Sequence, residues 1–301
     1  MGNDALQTNP FVVNRKTVAV HITTRGSDWY WAVMALMALT MLGILAASVL
    51  KPPRNRLLFY IFALITFVAT IESFSIASNL GWTPINVEWR RTDPKVVGIN
   101  RQIWYVRYIG WFLTWPLITT TILLTTRTPT LYILWTDFFA AAMAVLALVG
   151  ALVSSDYKWG YYAFWIFCWL LVGYHLVLLP RAYAGSLGVD VLRAHTFISA
   201  WVWFLFGLYP ICWGLSEGGN VIAPDSELVF YGVLDILLMP VTFGYFLFAH
   251  WNIDPARMGL SLRTYEDPLP NTSAHHEKSA PGATNGTHAA DYAAQPAATT
   301  V

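Results

Sequence analysis

The chain alternates between long apolar runs and short polar connections. Seven runs of about twenty residues are rich in Leu, Ile, Val, Phe and Trp, and that length spans the hydrocarbon core of a bilayer as a helix. The runs cover residues 29–49, 57–80, 103–124, 131–153, 160–179, 194–215 and 227–251. The pattern predicts an all-α membrane protein whose seven transmembrane helices form one bundle over residues 29–251.

Polar segments precede and follow the predicted bundle. Residues 1–28 contain no long apolar core, so we expect an extracellular N-terminal segment without a cleavable signal peptide. Residues 252–301 are biased towards Ala, Thr, His and Pro, which predicts a mostly disordered cytoplasmic tail whose first few residues alone pack. The basic loop KPPRNR after the first run favours an N-terminus outside and a C-terminus inside. Residues 81–100 alternate enough to predict a short hairpin between helices 2 and 3.

Composition supports the membrane assignment. Hydrophobic residues make up 56% of the 301 residues and charged residues 12%, about half the charged fraction of a soluble protein. A net charge of +1 argues against nucleic acid as a partner. Cys168 and Cys212 both lie in apolar runs and are expected to be buried free thiols. His175 has no second His or Cys at ligand spacing, so we expect no metal site.

The charged side chains inside the apolar runs include Glu72, Arg107 and Asp235. A charge inside a membrane is costly and therefore marks a structural or functional site. We expect Arg107 and Asp235 to face each other in the bundle, either as an ion pair that fixes helix packing or as the polar floor of a ligand site. For Glu72, a structural role and a place on an ion pathway both stay open. No arrangement of nucleophile and base predicts an enzyme.

Three segments together resemble the microbial rhodopsins: RYIGWFLTWPLITTT from Arg107, FGLYPICWGLSEGG from Phe206 and LDILLMP from Leu234. The family's retinal lysine follows an aspartate by four residues, and here Met239 follows Asp235. Gly110 and Thr121 stand where pumps carry the proton-acceptor and proton-donor acids. The resemblance implies a vestigial retinal pocket made of Trp111, Thr114, Trp165, Phe206, Tyr209, Pro210, Trp213, Asp235 and Met239. Glu217 and Glu227 resemble the carboxylates that release protons on the extracellular side.

Retinal chemistry depends on an amine within the membrane, and the five lysines all lie outside the predicted runs. They are Lys16, Lys51, Lys95, Lys158 and Lys278. The thioether of Met239 cannot form a Schiff base, which excludes a covalent retinal cofactor. Light-driven pumping is not expected, whereas non-covalent binding of retinal or of another hydrophobic ligand stays open.

With its lysine position occupied by methionine, the chain resembles the fungal opsin-related proteins, a group of this family that includes a heat-shock membrane protein. The resemblance implies a plasma-membrane protein of stressed fungal cells that acts through the bilayer or through protein partners. The plasma-membrane proton ATPase is a candidate partner, and a homo-oligomer is compatible with this role. The alternative is a receptor or a passive ion-conducting protein that reuses the vestigial pocket for a hydrophobic ligand.

Overall fold

The structure is a computed structural model that describes residues 3–13, 16–87 and 98–261. Seven long helices run through this part of the chain. They are α1 (Thr24–Ser48), α2 (Leu57–Ala77), α3 (Tyr105–Leu124), α4 (Thr130–Leu152), α5 (Lys158–Leu187), α6 (Val189–Gly218) and α7 (Pro224–His250). The predicted seven-helix bundle is confirmed.

Six of these helices are long and apolar enough to cross a membrane by length and composition. The exception, α3, carries Arg107 and the three consecutive threonines 119–121, which lower its hydropathy. Its polar side chains point into the bundle: Arg107, Thr119 and Thr121 are all buried. A polar helix can therefore occupy the bundle because its neighbours cover it.

Two helices begin five residues earlier than the sequence predicts. Helix α1 begins at Thr24 rather than at Trp29, and the Thr23 hydroxyl caps it by accepting from the backbone N–H of Arg25. Helix α6 begins at Val189 because Gly188 separates it from α5 with φ at 134°, a conformation that favours glycine. Both helices extend the apolar run into polar flanking residues, which hydropathy alone does not detect.

Helix α7 widens into a π-helical turn over Leu237–Val241, and the turn contains Met239. Pro240 lacks a backbone N–H and disturbs the regular helical pattern at this point. The Thr242 hydroxyl donates to the Leu237 carbonyl at 2.7 Å and so satisfies one of the freed acceptors. Similar π turns cover Tyr174–Leu178 in α5 and Gly214–Gly218 in α6.

Short strands close one end of the bundle, which we call the hairpin end. Strands β1 (Val12–Val13) and β2 (Lys16–Thr17) pair with each other, as do β3 (Thr83–Asn86) and β4 (Asn100–Ile103), both antiparallel. The second pair confirms the hairpin expected between helices 2 and 3. Val20 bridges to Arg101, so the N-terminal segment adds to the same end.

Tryptophans join α5 to α6 through a reciprocal contact that we call the tryptophan clasp, Trp169 and Trp203. Each indole N–H donates to the backbone carbonyl of the other tryptophan, at 3.0 and 3.1 Å, and the rings stack at 4.8 Å. Gly173 and Gly207 make room for the rings, since a Cβ at either position would lie within 3 Å of an indole. The clasp fixes the distance between these two helices.

Beyond α7 the chain makes one 3₁₀ turn over Pro255–Met258 and packs Met258 and Leu260 against the bundle. The tail from residue 262 onward lies outside the described residues, and so do Lys95 and Lys278.

Candidate functional site

The residues of the predicted pocket meet in the centre of the bundle. Helix α3 contributes Trp111 and α5 contributes Trp165, and their ring centroids lie 6.3 Å apart. From α6, Tyr209 approaches Trp111 edge-on at 5.0 Å, and Trp213 approaches Trp165 at 6.3 Å. All members of the predicted set are buried: Trp111, Thr114, Trp165, Phe206, Tyr209, Pro210, Trp213, Asp235 and Met239.

Trp115 lies among these walls, and the sequence reading missed it. Its ring stacks on Trp111 with centroids 4.8 Å apart and also contacts Phe206 at 4.9 Å and Tyr209 at 5.3 Å. The side chain is fully buried. Because residues 111 and 115 are one helical turn apart, the spacing alone places both indoles on the same face of α3. The residues that line the predicted pocket therefore pack against the Trp115 indole.

Asp235 accepts a hydrogen bond from the Tyr209 hydroxyl at 2.7 Å and is 5% exposed. Met239 follows one turn later and is also buried. The expectation that Arg107 forms an ion pair with Asp235 is wrong. The guanidinium of Arg107 instead pairs with Glu227 at 2.7 Å and with Glu217 at 3.2 Å.

The physical reason is that the carboxylates of Glu217 and Glu227 lie within hydrogen-bonding distance of the Arg107 guanidinium, whereas Asp235 does not. Glu227 in the first turn of α7 is also held by Arg101 at 2.6 Å, so it bridges two arginines. Arg101 belongs to strand β4, and sequence analysis did not select it because it lies in the predicted connection between helices 2 and 3. We call Arg101, Arg107, Glu217 and Glu227 the hairpin-end network; all four are at most 2% exposed.

Tyrosines and a serine complete the hydrogen bonding of Glu217. The Tyr108 hydroxyl donates to one carboxylate oxygen at 2.7 Å, and Ser216 and Tyr231 donate to the other at 2.6 and 3.2 Å. The Tyr231 ring also lies 4.1 Å from the guanidinium carbon of Arg107. Every carboxylate oxygen of the network thus has a donor, as buried charges require.

Lys158 corrects a second expectation, because it is not outside the helices. It is the first residue of α5 and is 3% exposed, and its ammonium group donates to the backbone carbonyl of Glu217 at 3.2 Å. Trp165 of the pocket lies two turns further along the same helix, about 10 Å away along its axis. The one buried lysine of the described residues is therefore held at the hairpin end and not at the depth of the aromatic core.

Glu72 of α2 reaches the third helix at the position where the predicted acceptor acid is missing. A Cβ built on Gly110 would lie 1.9 Å from the Glu72 carboxylate oxygen Oε2. Glu72 is 5% exposed, and its Oε1 has no hydrogen-bond partner among the described residues. Position 110 must therefore be glycine, because the Glu72 carboxyl group from α2 occupies the space that a side chain there would need.

Thr121 occupies the position of the missing donor acid, and its hydroxyl donates to the Leu117 carbonyl of the same helix at 2.6 Å. Next to it, Asp137 of α4 accepts from Thr119 at 2.6 Å and from Thr120 at 2.5 Å. No group of three or more potential metal ligands occurs within the described residues.

An aromatic core within seven helices, closed at one end by buried ion pairs, defines an integral membrane protein of opsin type. A family model described as "Bacteriorhodopsin-like protein" matches residues 25–252. The chain belongs to this family, as an opsin-related member with fungal relatives.

Two relatives and one solved structure illustrate this membership. The "Opsin-like protein carO" of Fusarium fujikuroi is 46% identical over 286 residues, which cover 95% of this chain and 93% of that protein. The "30 kDa heat shock protein" of Saccharomyces cerevisiae is 34% identical, over 82% of this chain and 78% of that protein. The light-driven proton pump LR (Mac) of Leptosphaeria maculans is 28% identical with a TM-score of 0.74, covering 79% of this chain and 99% of that one.

Proposed function

We propose that this opsin-related protein is not photoactive, carries no covalent retinal, catalyses no reaction and acts through lipid or protein partners in the plasma membrane. The observation that carries the proposal is Met239, a thioether at the position where the family resemblance places the lysine. No other lysine whose side chain the structure describes replaces it: Lys158 is occupied at the hairpin end, and Lys51 donates to the Trp251 carbonyl at 2.7 Å at the other end of the bundle.

The packing of the core supports the same proposal. Trp115 contacts Trp111, Phe206 and Tyr209, so its indole takes space that a pocket ligand would need. The alternative function, a receptor that holds a hydrophobic ligand in the vestigial pocket, requires Trp115 to move. We therefore rank that alternative second.

The stress-related part of the proposal is supported by the similarity to the protein named for heat shock in Saccharomyces cerevisiae. A role at the plasma membrane, with the proton ATPase as a candidate partner, belongs to the same proposal. We propose the N-terminus outside and the C-terminus in the cytoplasm, on the basis of the basic loop between α1 and α2. Crosslinking in intact cells before and after heat shock tests for the partner.

An absorption spectrum tests the absence of a chromophore bond. The purified protein and its Trp115→Ala/Met239→Lys double variant, in which the indole no longer fills the pocket, receive all-trans retinal and are then treated with borohydride, which reduces an imine. We expect no red-shifted band in the native protein and a borohydride-sensitive band in the variant. A borohydride-sensitive band in the native protein would refute the proposal, and a resistant band there would support the receptor alternative with non-covalent retinal.

A further inference from the structure

A carboxyl group stands beside position 110 although the third helix has none of its own there. The Glu72 carboxylate, delivered by α2, comes within 1.9 Å of the place where a Gly110 Cβ would be. Any other residue at position 110 would displace it, because glycine alone has no side chain. The glycine and the glutamate therefore form one matched arrangement across two helices.

Other elements contribute polar groups to the same region. Asp235 of α7 and Arg107 of α3 lie within electrostatic range of Glu72, and Tyr30 of α1 interacts with all three. Tyr209 of α6 donates to Asp235. The Tyr30 hydroxyl, Glu72 Oε1 and the Arg107 nitrogens Nε and Nη2 are all buried and have no hydrogen-bond partner among the described residues. Buried polar groups are ordinarily paired, so an unpaired donor and acceptor in one region indicate a site that binds something more.

The buried charges show what is missing. Among the described residues that are at most 5% exposed, three side chains are Arg or Lys and four are Asp or Glu: Arg101, Arg107 and Lys158 against Glu72, Glu217, Glu227 and Asp235. Glu217 and Glu227 are paired with the arginines. Within this same part of the chain Glu72 and Asp235 have no direct cationic partner, and the buried charges counted there carry one negative charge in excess. A buried carboxyl group in this situation takes up a proton rather than stay charged.

We propose that Glu72 replaces the carboxyl group missing at position 110 and forms, with Asp235, a single proton-binding site in which the two groups share one proton at neutral pH. The ligand is a proton, and Tyr30 and Tyr209 are the hydroxyl groups that face the site. The site depends on no chromophore, so it holds whether or not retinal binds.

Thermal unfolding in detergent micelles tests the spatial replacement. Gly110→Ala is introduced into the native protein and into a Glu72→Ala variant, with Gly43→Ala and Gly244→Ala as controls, because a Cβ at either control glycine meets nothing within 4 Å. We expect Gly110→Ala to lower the melting temperature by more than about 5 °C in the native background and by less than about 2 °C without Glu72. Failure to fold in the native background with rescue by Glu72→Ala gives the same support. Equal effects in both backgrounds, or none in either, would overturn the replacement.

Infrared spectroscopy at neutral pH tests the shared proton through the carbonyl stretch of a protonated carboxyl group, which shifts in D₂O. We expect such a band in the native protein and its loss in both Glu72→Gln and Asp235→Asn, since removing one acid leaves three acids for three bases. The Asp137→Asn variant is the control and keeps the band. Absence of the band in the native protein, its persistence in both variants, or its loss in only one of them would overturn the shared site.

Discussion

Charges are treated differently in two neighbouring regions of this bundle. In the hairpin-end network, every carboxylate oxygen of the two glutamates accepts from an arginine or a hydroxyl group within 3.2 Å. In the centre of the bundle, Glu72 and Asp235 have no arginine of their own, and one oxygen of Glu72 is unpaired among the described residues. The network fixes structure, whereas the centre retains acids whose charge is open to change. The two arginines and two glutamates of the network therefore balance in charge, whereas the two acids in the centre have no basic side chain paired with them in the part of the chain that the structure describes.

Removing a cation from the hairpin-end network is expected to have the largest effect on the free energy of unfolding. Arg107→Gln leaves Glu217 and Glu227 with less compensation at 0–1% side-chain exposure. We expect a loss of about 3–5 kcal/mol in the free energy of unfolding, because breaking a buried ion pair strands a charge. Denaturation of the detergent-solubilised protein measures it. Arg257→Gln, which removes an exposed pair with Asp190, is the matched control and should change little. Equal effects of the two variants would contradict the contrast.

Opening the aromatic core is expected to cost slightly less and to create a binding space. Trp115→Ala removes a fully buried indole, with a loss of about 3 kcal/mol. The cavity should also bind a hydrophobic dye or all-trans retinal without a covalent bond, which fluorescence quenching measures. Trp135→Ala, at a side chain that is 50% exposed, is the control and should do neither. Strong ligand binding by the native protein would show that Trp115 does not fill the site.

The tryptophan clasp lies outside both charged regions and provides an uncharged reference. Gly173→Ala would bring a Cβ within 2.2 Å of the Trp203 indole nitrogen and force the clasp apart. We expect a destabilisation of about 1–3 kcal/mol from overpacking, measured in the same unfolding assay. Gly244→Ala, with open space around the new Cβ, should be neutral. A neutral Gly173→Ala would show that α5 and α6 are free to separate.

The smallest effect is expected at the hydrogen bond that holds Asp235. Tyr209→Phe removes the hydroxyl that donates to the Asp235 carboxyl at 2.7 Å and leaves the ring packing unchanged. A loss of about 1 kcal/mol is expected from the unfolding assay, since the carboxyl group has lost its donor. Tyr108→Phe in the hairpin-end network is the comparison, because Glu217 keeps other donors there. A larger loss for Tyr108→Phe would reverse the ranking of the two regions.

The fold could be predicted from the sequence because seven apolar runs have the length of a membrane span, and only their ends were displaced. The placement of Met239, Gly110 and Thr121 followed from motif spacing in single helices. Contacts between helices did not: Arg107 reaches Glu227 because its long side chain extends away from Asp235, and no local pattern encodes that direction. Glu72 entering the space of Gly110 is likewise a property of two helices together. Trp115, by contrast, could have been found from its four-residue spacing to Trp111.

The central claim is that no amine in this protein binds retinal covalently. The most direct measurement is the intact mass of the protein expressed in cells supplied with all-trans retinal and reduced with borohydride, with the Trp115→Ala/Met239→Lys double variant treated in parallel. The account predicts an unmodified mass for the native chain and a retinyl adduct on the variant. A retinyl adduct on the native chain would contradict it, and peptide mapping would then identify which lysine had reacted.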